Sequence, residues 1–452
     1  MQKLVILGGG ESGTGAALLG KAKGFDVFLS DRSPLQVTYR EILTAAGISF
    51  EEGTHSEDKI LSANEVVKSP GIPDNAPIVQ ELYRRNIPVI SEIEFAARYT
   101  DAKLIAITGS NGKTTTTLLI YHLLREAGLS VGLAGNVGDS FAAQVIDDQK
   151  DFYVLEISSF QLDNMYDFRA NVAVLLNITP DHLDRYDYDF QKYVQSKFRI
   201  TQNQTQDDNL IYFAESEALT DELEKRTLPA RMWPISLKNK VEKGGFLADG
   251  VLTARNHGQE FSIAFDELPI QGPHNAINAL SAILAAQAVG LSPEQIGVGL
   301  RTFVNAPHRL ESVAKLDGVE YINDSKATNV DSVYYALGSF DRPIILIMGG
   351  VDKGNDYSQI EPLVRQKVKG MVALGTDTKK LADYFESIVP NFEVTQSLKE
   401  AVQTAQSWAK SGDVVMLSPA CASFDLFKNY QDRGERFKKE VEELRLRKDV
   451  LS

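Results

Sequence analysis

The run Thr108-Gly-Ser-Asn-Gly-Lys-Thr-Thr115 sets two glycines, a lysine and several hydroxyls in an order suited to phosphate binding. Gly109 and Gly112 allow backbone amides to close on a β-phosphate, Lys113 offers a cation to the β/γ oxygens, and the Thr114 hydroxyl suits Mg²⁺. The first glycine of the usual phosphate-loop pattern would fall at Ile107, so the match rests on the Gly-Lys-Thr half. Magnesium takes oxygen ligands, and Glu156, directly after the apolar run Phe152-Tyr-Val-Leu155, is where a carboxylate ligand is expected. His182 lies in Asn177-Ile-Thr-Pro-Asp-His-Leu-Asp184; a lone histidine is often structural, but its place beside Asp181 and Asp184 after an apolar run points to function. A second glycine set, Gly8, Gly10 and Gly13 with Asp31 further on, satisfies a dinucleotide fingerprint. Its mechanics serve any nucleotide diphosphate, because they require only amides at a helix N-terminus and an acid facing a sugar or base.

These residues need strands that deliver them and helices that begin beside them. The short β-rich run Leu4 to Leu7, the Gly-rich turn, a helix from about Ala16 and a strand Val27 to Ser30 form a βαβ unit. Val66 and Val67 lead into Ser69-Pro-Gly-Ile-Pro73, whose prolines and glycine force a loop at a strand end. A strand-like Pro88-Val-Ile90 and a Glu-rich helix precede the strand Leu104 to Ile107, which feeds the phosphate loop and a helical run through Leu124. Phe152 to Leu155 and Val172 to Leu176 are further strands ending in polar residues, and ligands bind at the carboxyl ends of parallel strands. The polar tract from about Gln202 to Glu267 is predicted to be an appended strand-rich lobe, followed by an Ala-rich helix from Asn275 to Val289 with Gly290 as its cap. Strands at Pro343 to Met348, Met371 to Leu374 and Val414 to Leu417 mark another α/β sheet, and Glu435 to Lys448 reads as a mixed-charge helix.

A chain of 452 residues exceeds one ordinary core, and boundaries near 93 and 300 divide it into three domains, 1–93, 94–300 and 301–452. With 43% hydrophobic and 24% charged residues it has the composition of a globular protein rather than a disordered one. A net charge of −14 repels nucleic acid and anionic membranes, so phosphate binding must be local. No run approaches a membrane span and no targeting segment precedes the first strand; together with a single cysteine, Cys421, this predicts a cytoplasmic location. Cys421 itself reads as a small buried hydrophobe. A nicotinamide oxidoreductase would use the first glycine set but leave the phosphate loop and Glu156 idle. A phosphate-loop switch would use the second set without ligating anything.

Six blocks in order, Thr108-Gly-Ser-Asn-Gly-Lys-Thr114, Glu156-Ile-Ser-Ser159, Asn177 to Asp184, Gly272-Pro-His-Asn275, His308-Arg309 and Asn323-Asp-Ser-Lys-Ala-Thr328, resemble the Mur ligase family. That resemblance implies an α/β fold with a Rossmann-like N-terminal domain, a central P-loop ATPase-like domain and a Rossmann-like C-terminal domain. It also implies an ATP- and Mg²⁺-dependent ligase that forms an amide through an acyl-phosphate. Within the family, Leu417 to Gly434 and Ser69-Pro-Gly-Ile72 resemble the member that adds D-glutamate to UDP-N-acetylmuramoyl-L-alanine in peptidoglycan precursor synthesis. The first domain then holds UDP rather than NAD, through Gly10, Ser12, Gly13, Asp31, Arg32 and Ser69, with Asn136 and His182 meeting the muramoyl part. ATP is implied at Gly109, Asn111, Gly112, Lys113, Thr114, Thr115, Asn275, Arg309 and Asp324, and D-glutamate at Thr328, Lys353, Ser423, Phe424 and Tyr430. Lys113, Glu156, His182, Lys197 and Lys326 are the implied catalytic set, with Thr114, Glu156, His182 and a carbamylated Lys197 around the metal. The expected partners are the two substrates alone, with no nucleic acid or membrane, and the expected state is a monomer.

Overall fold

Alternation along the strands accounts for the layers. In β1 (Lys3–Leu7), Leu4 and Ile6 enter one buried cluster while Val5 and Leu7 enter another, so this strand is covered on both faces. In the computed structural model, which describes residues 2–147 and 149–449, β1 lies inside a parallel sheet with β2 (Asp26–Asp31), β3 (Ser49–Glu52), β4 (Glu65–Lys68) and β5 (Val89–Ile90). The order is β3-β2-β1-β4-β5, and the chain reverses direction across the sheet between β1 and β4. A crevice therefore opens at the carboxyl ends of these two strands, between the Gly8 turn and Ser69.

The second sheet comprises β6 (Lys103–Thr108), β7 (Val131–Gly135), β8 (Phe152–Glu156), β9 (Val172–Leu175), β10 (Asn209–Phe213), β11 (Arg231–Ser236), β12 (Gly244–Ala248), β13 (Val251–Asn256) and β14 (Gln259–Ala264). Its order is β14-β13-β12-β11-β10-β9-β6-β8-β7. The expected appended lobe is corrected here: β10 pairs in parallel with β9, and the strands after it extend the same sheet to an antiparallel edge. The sheet-forming pairs Leu210↔Ala173 and Ile211↔Val174 bury apolar backbone neighbours that the surrounding polar turns conceal in the sequence. Because β6 sits between β9 and β8, the phosphate loop, Glu156 and the Asn177–His182 segment leave the carboxyl ends of three adjacent strands.

The third sheet has the order β15 (Glu311–Leu316), β16 (Val319–Asn323), β20 (Val414–Leu417), β17 (Ile344–Met348), β18 (Val368–Leu374), β19 (Phe392–Thr395). Ile344, Leu346 and Met348 feed one core and Ile345 and Ile347 another, the period-two signature of a strand buried on both sides. Cys421 is 1% exposed within the first of these cores. The chain forms two compact units: residues 1–268 with 277–303, holding the first two sheets, and residues 269–276 with 304–452, holding the third. The Ala-rich helix spans Pro273–Ala288, and Gly290 follows it at φ +91°. The first helix spans Glu11–Ala22, earlier than its apolar pattern suggests. Among the described residues, no helix is long and apolar enough to cross a membrane.

Candidate active site

Gly112 caps the helix Lys113–Glu126 with φ +85°, and a Cβ there would lie 2.4 Å from the Asn278 carboxamide oxygen. Glycine is required on both counts, and no side chain caps the helix N-terminus, the end of a helix that favours an anion. The loop is clamped from β9: the Asn111 amide donates to Asn177 Oδ1 at 2.9 Å, and Asn177 Nδ2 donates back to the Asn111 carbonyl at 3.0 Å. Ser110 Oγ donates to the Thr179 carbonyl at 2.9 Å and accepts from its amide at 3.0 Å. Lys113 folds over this loop, Nζ donating to the carbonyls of Gly109 at 2.8 Å and Ser110 at 2.9 Å.

Lys197, on the helix Phe190–Phe198, converges on the same place, its ammonium donating to Gly109 O at 3.0 Å and Thr108 Oγ1 at 3.2 Å. It is 2% exposed. Burial first, and the Lys113 charge second, push its pKa well below the usual lysine value, against the pull of Asp181, Asp163 and Glu156. Those surroundings shift the lysine toward its neutral amine, the form that acts as a nucleophile.

Glu156 closes β8. Its Oε1 accepts from Asn136 Nδ2 at 2.8 Å, while Oε2 is buried without a hydrogen-bond partner. An orphaned carboxylate oxygen at the strand end beside a phosphate loop suits a divalent cation, and a threonine hydroxyl such as that of Thr114 is the other kind of oxygen donor that Mg²⁺ takes. Among the described residues no three His, Cys, Asp or Glu side chains gather as a metal group. His182 sits in the left-handed region at φ +53°, its ring edge-on to Phe160 with centroids 5.2 Å apart and its Nε2 3.6 Å from Asp181. Its side chain is 47% exposed, on the segment that follows β9.

The N-terminal turn has its own logic. Gly8 has φ +95°, and a Cβ there would meet Ser69 Oγ at 2.5 Å; a Cβ on Gly13 would meet the Gly8 carbonyl at 1.9 Å. Gly10, by contrast, faces open space, as a turn that admits a diphosphate requires. Asp31 accepts from the amides of Gly9 at 2.6 Å and Ser33 at 2.7 Å, so both carboxylate oxygens shape the turn. Arg32 is exposed and Ser12 partly so.

In the second unit, the loops after β16 and β20 are adjacent, since Asn323 registers with Leu417. Asp324 accepts from Ser418 Oγ at 2.8 Å and the Leu310 amide at 3.2 Å; burial pushes its pKa up to about 7, opposed by these bonds and by Arg309 and Arg433. Lys326 Nζ lies 3.9 Å from the centre of the Tyr430 ring, and the Arg433 guanidinium ties Ser325 to Cys421 through bonds of 2.8 to 3.2 Å. Ser423 is 2% exposed, Phe424 is 74% exposed, Thr328 is half-buried and Lys353 is exposed. Asn275 is buried, donating to the Gln271 carbonyl at 2.8 Å.

One residue beside the phosphate loop escapes sequence reading. Asn278 is 2% exposed, accepts from Thr116 Oγ1 at 3.1 Å, and packs against Gly112. It follows Asn275 by three positions on one helix, a spacing that puts both on one face and is the signal that could have found it.

A phosphate loop on a central parallel strand, a metal-ready carboxylate one strand away and two further nucleotide-type sheets define a multidomain nucleotide-dependent enzyme, and the chain belongs to the Mur ligase family. Residues 3–78 match the MurD N-terminal domain, 107–286 the Mur ligase middle domain and 308–421 the Mur ligase glutamate ligase domain. The chain is 52% identical over 445 residues to the UDP-N-acetylmuramoylalanine–D-glutamate ligase of Bacteroides fragilis, covering 98% of this chain and 100% of that one. It is 54% identical over 448 residues to the enzyme of the same name from Cytophaga hutchinsonii, covering 98% and 99%. The MurF ligase of Thermotoga maritima, solved in complex with ADP, shares the fold with a TM-score of 0.61 and 16% identity, covering 92% of this chain and 95% of that one.

Proposed function

We propose that this enzyme joins D-glutamate to UDP-N-acetylmuramoyl-L-alanine with ATP, in peptidoglycan precursor synthesis. The observation that carries the reading is identity above 50% over essentially the whole chain to ligases of that name. The work divides by domain: residues 1–93 bind the UDP substrate, 94–300 bind ATP and 301–452 bind the amino acid. The enzyme acts as a monomer in the cytoplasm on these small substrates.

A carboxylate repels nucleophiles and would have to expel oxide, so it must be activated. An oxygen of the L-alanyl carboxylate attacks the γ-phosphorus, the bond to the β,γ-bridging oxygen breaks, and ADP leaves behind an acyl-phosphate. The amides of Gly109 to Thr115 hold the phosphate chain, and Lys113 exchanges its Gly109 and Ser110 carbonyls for phosphate oxygens, with Lys326 as a second cation. Asn275, Arg309 and Asp324 serve the rest of the nucleotide. Mg²⁺, when bound, neutralises charge on the transferring phosphoryl group. Thr114 and Glu156 would hold it, supported by His182 and by a carbamate on Lys197. That carbamate forms when the neutral Lys197 amine adds CO₂ and loses a proton. The D-glutamate amine then attacks the acyl carbon, the carbon–oxygen bond to phosphate breaks, and the nitrogen releases a proton to give the amide. Thr328, Lys353, Ser423, Phe424 and Tyr430 orient that amino acid, whose two carboxylates need fixed donors. Gly10, Ser12, Gly13, Asp31, Arg32 and Ser69 hold the UDP end, and Asn136 and His182 the muramoyl end.

The test is phosphate release from ATP with Mg²⁺ and UDP-N-acetylmuramoyl-L-alanine, adding D-glutamate, L-glutamate, L-lysine or meso-diaminopimelate separately and weighing the product by mass spectrometry. Release and a new amide with D-glutamate alone are expected. Release with another amino acid would move the substrate, and no release with any of them would overturn the ligase.

A further inference from the structure

Lys68 ends β4 directly before the Ser69–Pro73 loop, and its side chain is 1% exposed. A lysine so placed needs a reason, because desolvating an ammonium costs several kcal/mol unless partners offset it. Its two partners both lie in the loop that follows. Nζ donates to the Ile72 carbonyl at 2.8 Å and lies 3.3 Å from the Asp74 carboxylate. Asp74 is held in turn by the Tyr83 hydroxyl at 3.0 Å, and that hydroxyl accepts from Asn164 Nδ2 at 3.0 Å. From the segment that carries His182, Arg185 Nη2 donates to the Pro70 carbonyl at 3.3 Å. The loop so pinned stands against the Gly8 turn, with Ser69 Oγ filling the space a Gly8 Cβ would take. An apolar residue at position 68 would pack as well, but it would leave the Ile72 carbonyl and Asp74 without their buried cation.

We propose that Lys68 is a positioning residue for the UDP-bearing substrate, fixing the Ser69–Asp74 loop at the distance from the Gly8–Gly13 turn that the ligand requires. The inference rests on the reading that the first domain binds this substrate. Lys68 touches no reacting atom, so its loss belongs in substrate affinity rather than in the chemical step.

The experiment is steady-state kinetics of Lys68→Met on the full chain, varying each of the three substrates, with a melting curve as a check on folding. The expected result is a KM for UDP-N-acetylmuramoyl-L-alanine raised roughly tenfold or more, with the KM values for ATP and D-glutamate and the kcat within about twofold of wild type. An unchanged KM for the UDP substrate, or a fall in kcat alone, would overturn the proposal. Asp74→Asn and Tyr83→Phe act on the same network more gently and decide the matter if Lys68→Met does not fold: each is expected to raise the same KM by a smaller factor, and no change in either overturns the proposal. Wild-type enzyme that fails to use the UDP substrate at all would instead sink the parent reading.

Discussion

Lys197 holds its ammonium against the Gly109 carbonyl and the Thr108 hydroxyl in a site closed to water, with the Lys113 charge alongside. Those surroundings favour the neutral amine, and a neutral amine that adds CO₂ turns a costly cation into an anion able to support a metal. Arginine cannot make this change. Lys197→Arg is expected to lower kcat on the order of 10–100-fold, as loss of a group supporting a metal site does. Wild-type enzyme equilibrated with ¹³C-bicarbonate should show a carbamate carbon resonance that Lys197→Arg lacks; a resonance present in both would assign the carbamate elsewhere. Glu156 tests the other side of the site. Glu156→Gln keeps an acceptor for Asn136 but replaces the orphaned oxygen with an amide or removes its charge, so the Mg²⁺ concentration for half-maximal activity should rise by a similar factor. An unchanged Mg²⁺ requirement would remove Glu156 from the metal. Both residues stand in short motifs that the sequence shows, and the roles expected of them come from the family resemblance. Lys68 and Asn278 were not, because their meaning depends on which loop lies beside them after folding.

The helix Glu92–Ala97 follows β5 and carries two buried carboxylates. Glu94 accepts from the amides of Tyr166, Asp167 and Phe168 at 2.9 to 3.1 Å. Glu92 accepts from Ser140 Oγ at 2.7 Å and the Ala142 amide at 2.6 Å, and burial, despite those bonds, pushes its pKa up to about 7. Between its unfolded value near 4.5 and about 7 the folded state keeps a proton that the unfolded chain releases, so this group's contribution to stability falls as pH rises through that window. At about 1.4 kcal/mol per pKa unit the effect is on the order of 3 kcal/mol. Glu92→Gln cannot ionise, and its melting temperature is expected to gain on wild type steadily from pH 5 to pH 8; a constant difference across that range would show that Glu92 titrates normally. Element existence was largely legible, since apolar runs bounded by glycine and proline gave the strands that carry the phosphate loop, Glu156 and His182. The joining of β10 and β11 to β9, which carries the later strands into the central sheet, was not, because parallel pairing of distant strands leaves no local mark. The first helix begins at Glu11 rather than near Ala16 because Gly13 and Gly15 interrupt its apolar pattern; the Cβ positions there fall 1.9 Å from the Gly8 carbonyl and 2.0 Å from Ser140 Oγ.

At the scale of the whole chain, the proposed assignment sets the UDP substrate in one of the two compact units and D-glutamate in the other. Every residue assigned to UDP-N-acetylmuramoyl-L-alanine, from Gly10 to His182, falls in the unit of residues 1–268 and 277–303, and every residue assigned to D-glutamate falls in the other. A ligand that binds one folded unit stabilises it by mass action, about 2.7 kcal/mol at a hundred times its Kd, and multidomain chains need not melt in one step. The chain carries two tryptophans, and each unit holds one: Trp233 in β11 and Trp408 at the end of the helix Leu398–Trp408. Trp408→Phe therefore leaves a reporter for the first unit, and Trp233→Phe leaves one for the second. In fluorescence-detected melting, UDP-N-acetylmuramoyl-L-alanine is expected to raise the transition seen by Trp233 and leave that seen by Trp408, while D-glutamate does the reverse. If the UDP substrate moved only the Trp408 transition, its site would have to be sought among residues 269–276 and 304–449. Equal movement of both reporters with either ligand would mean that the cores unfold cooperatively, so that binding energy gained in one is spread over the whole chain.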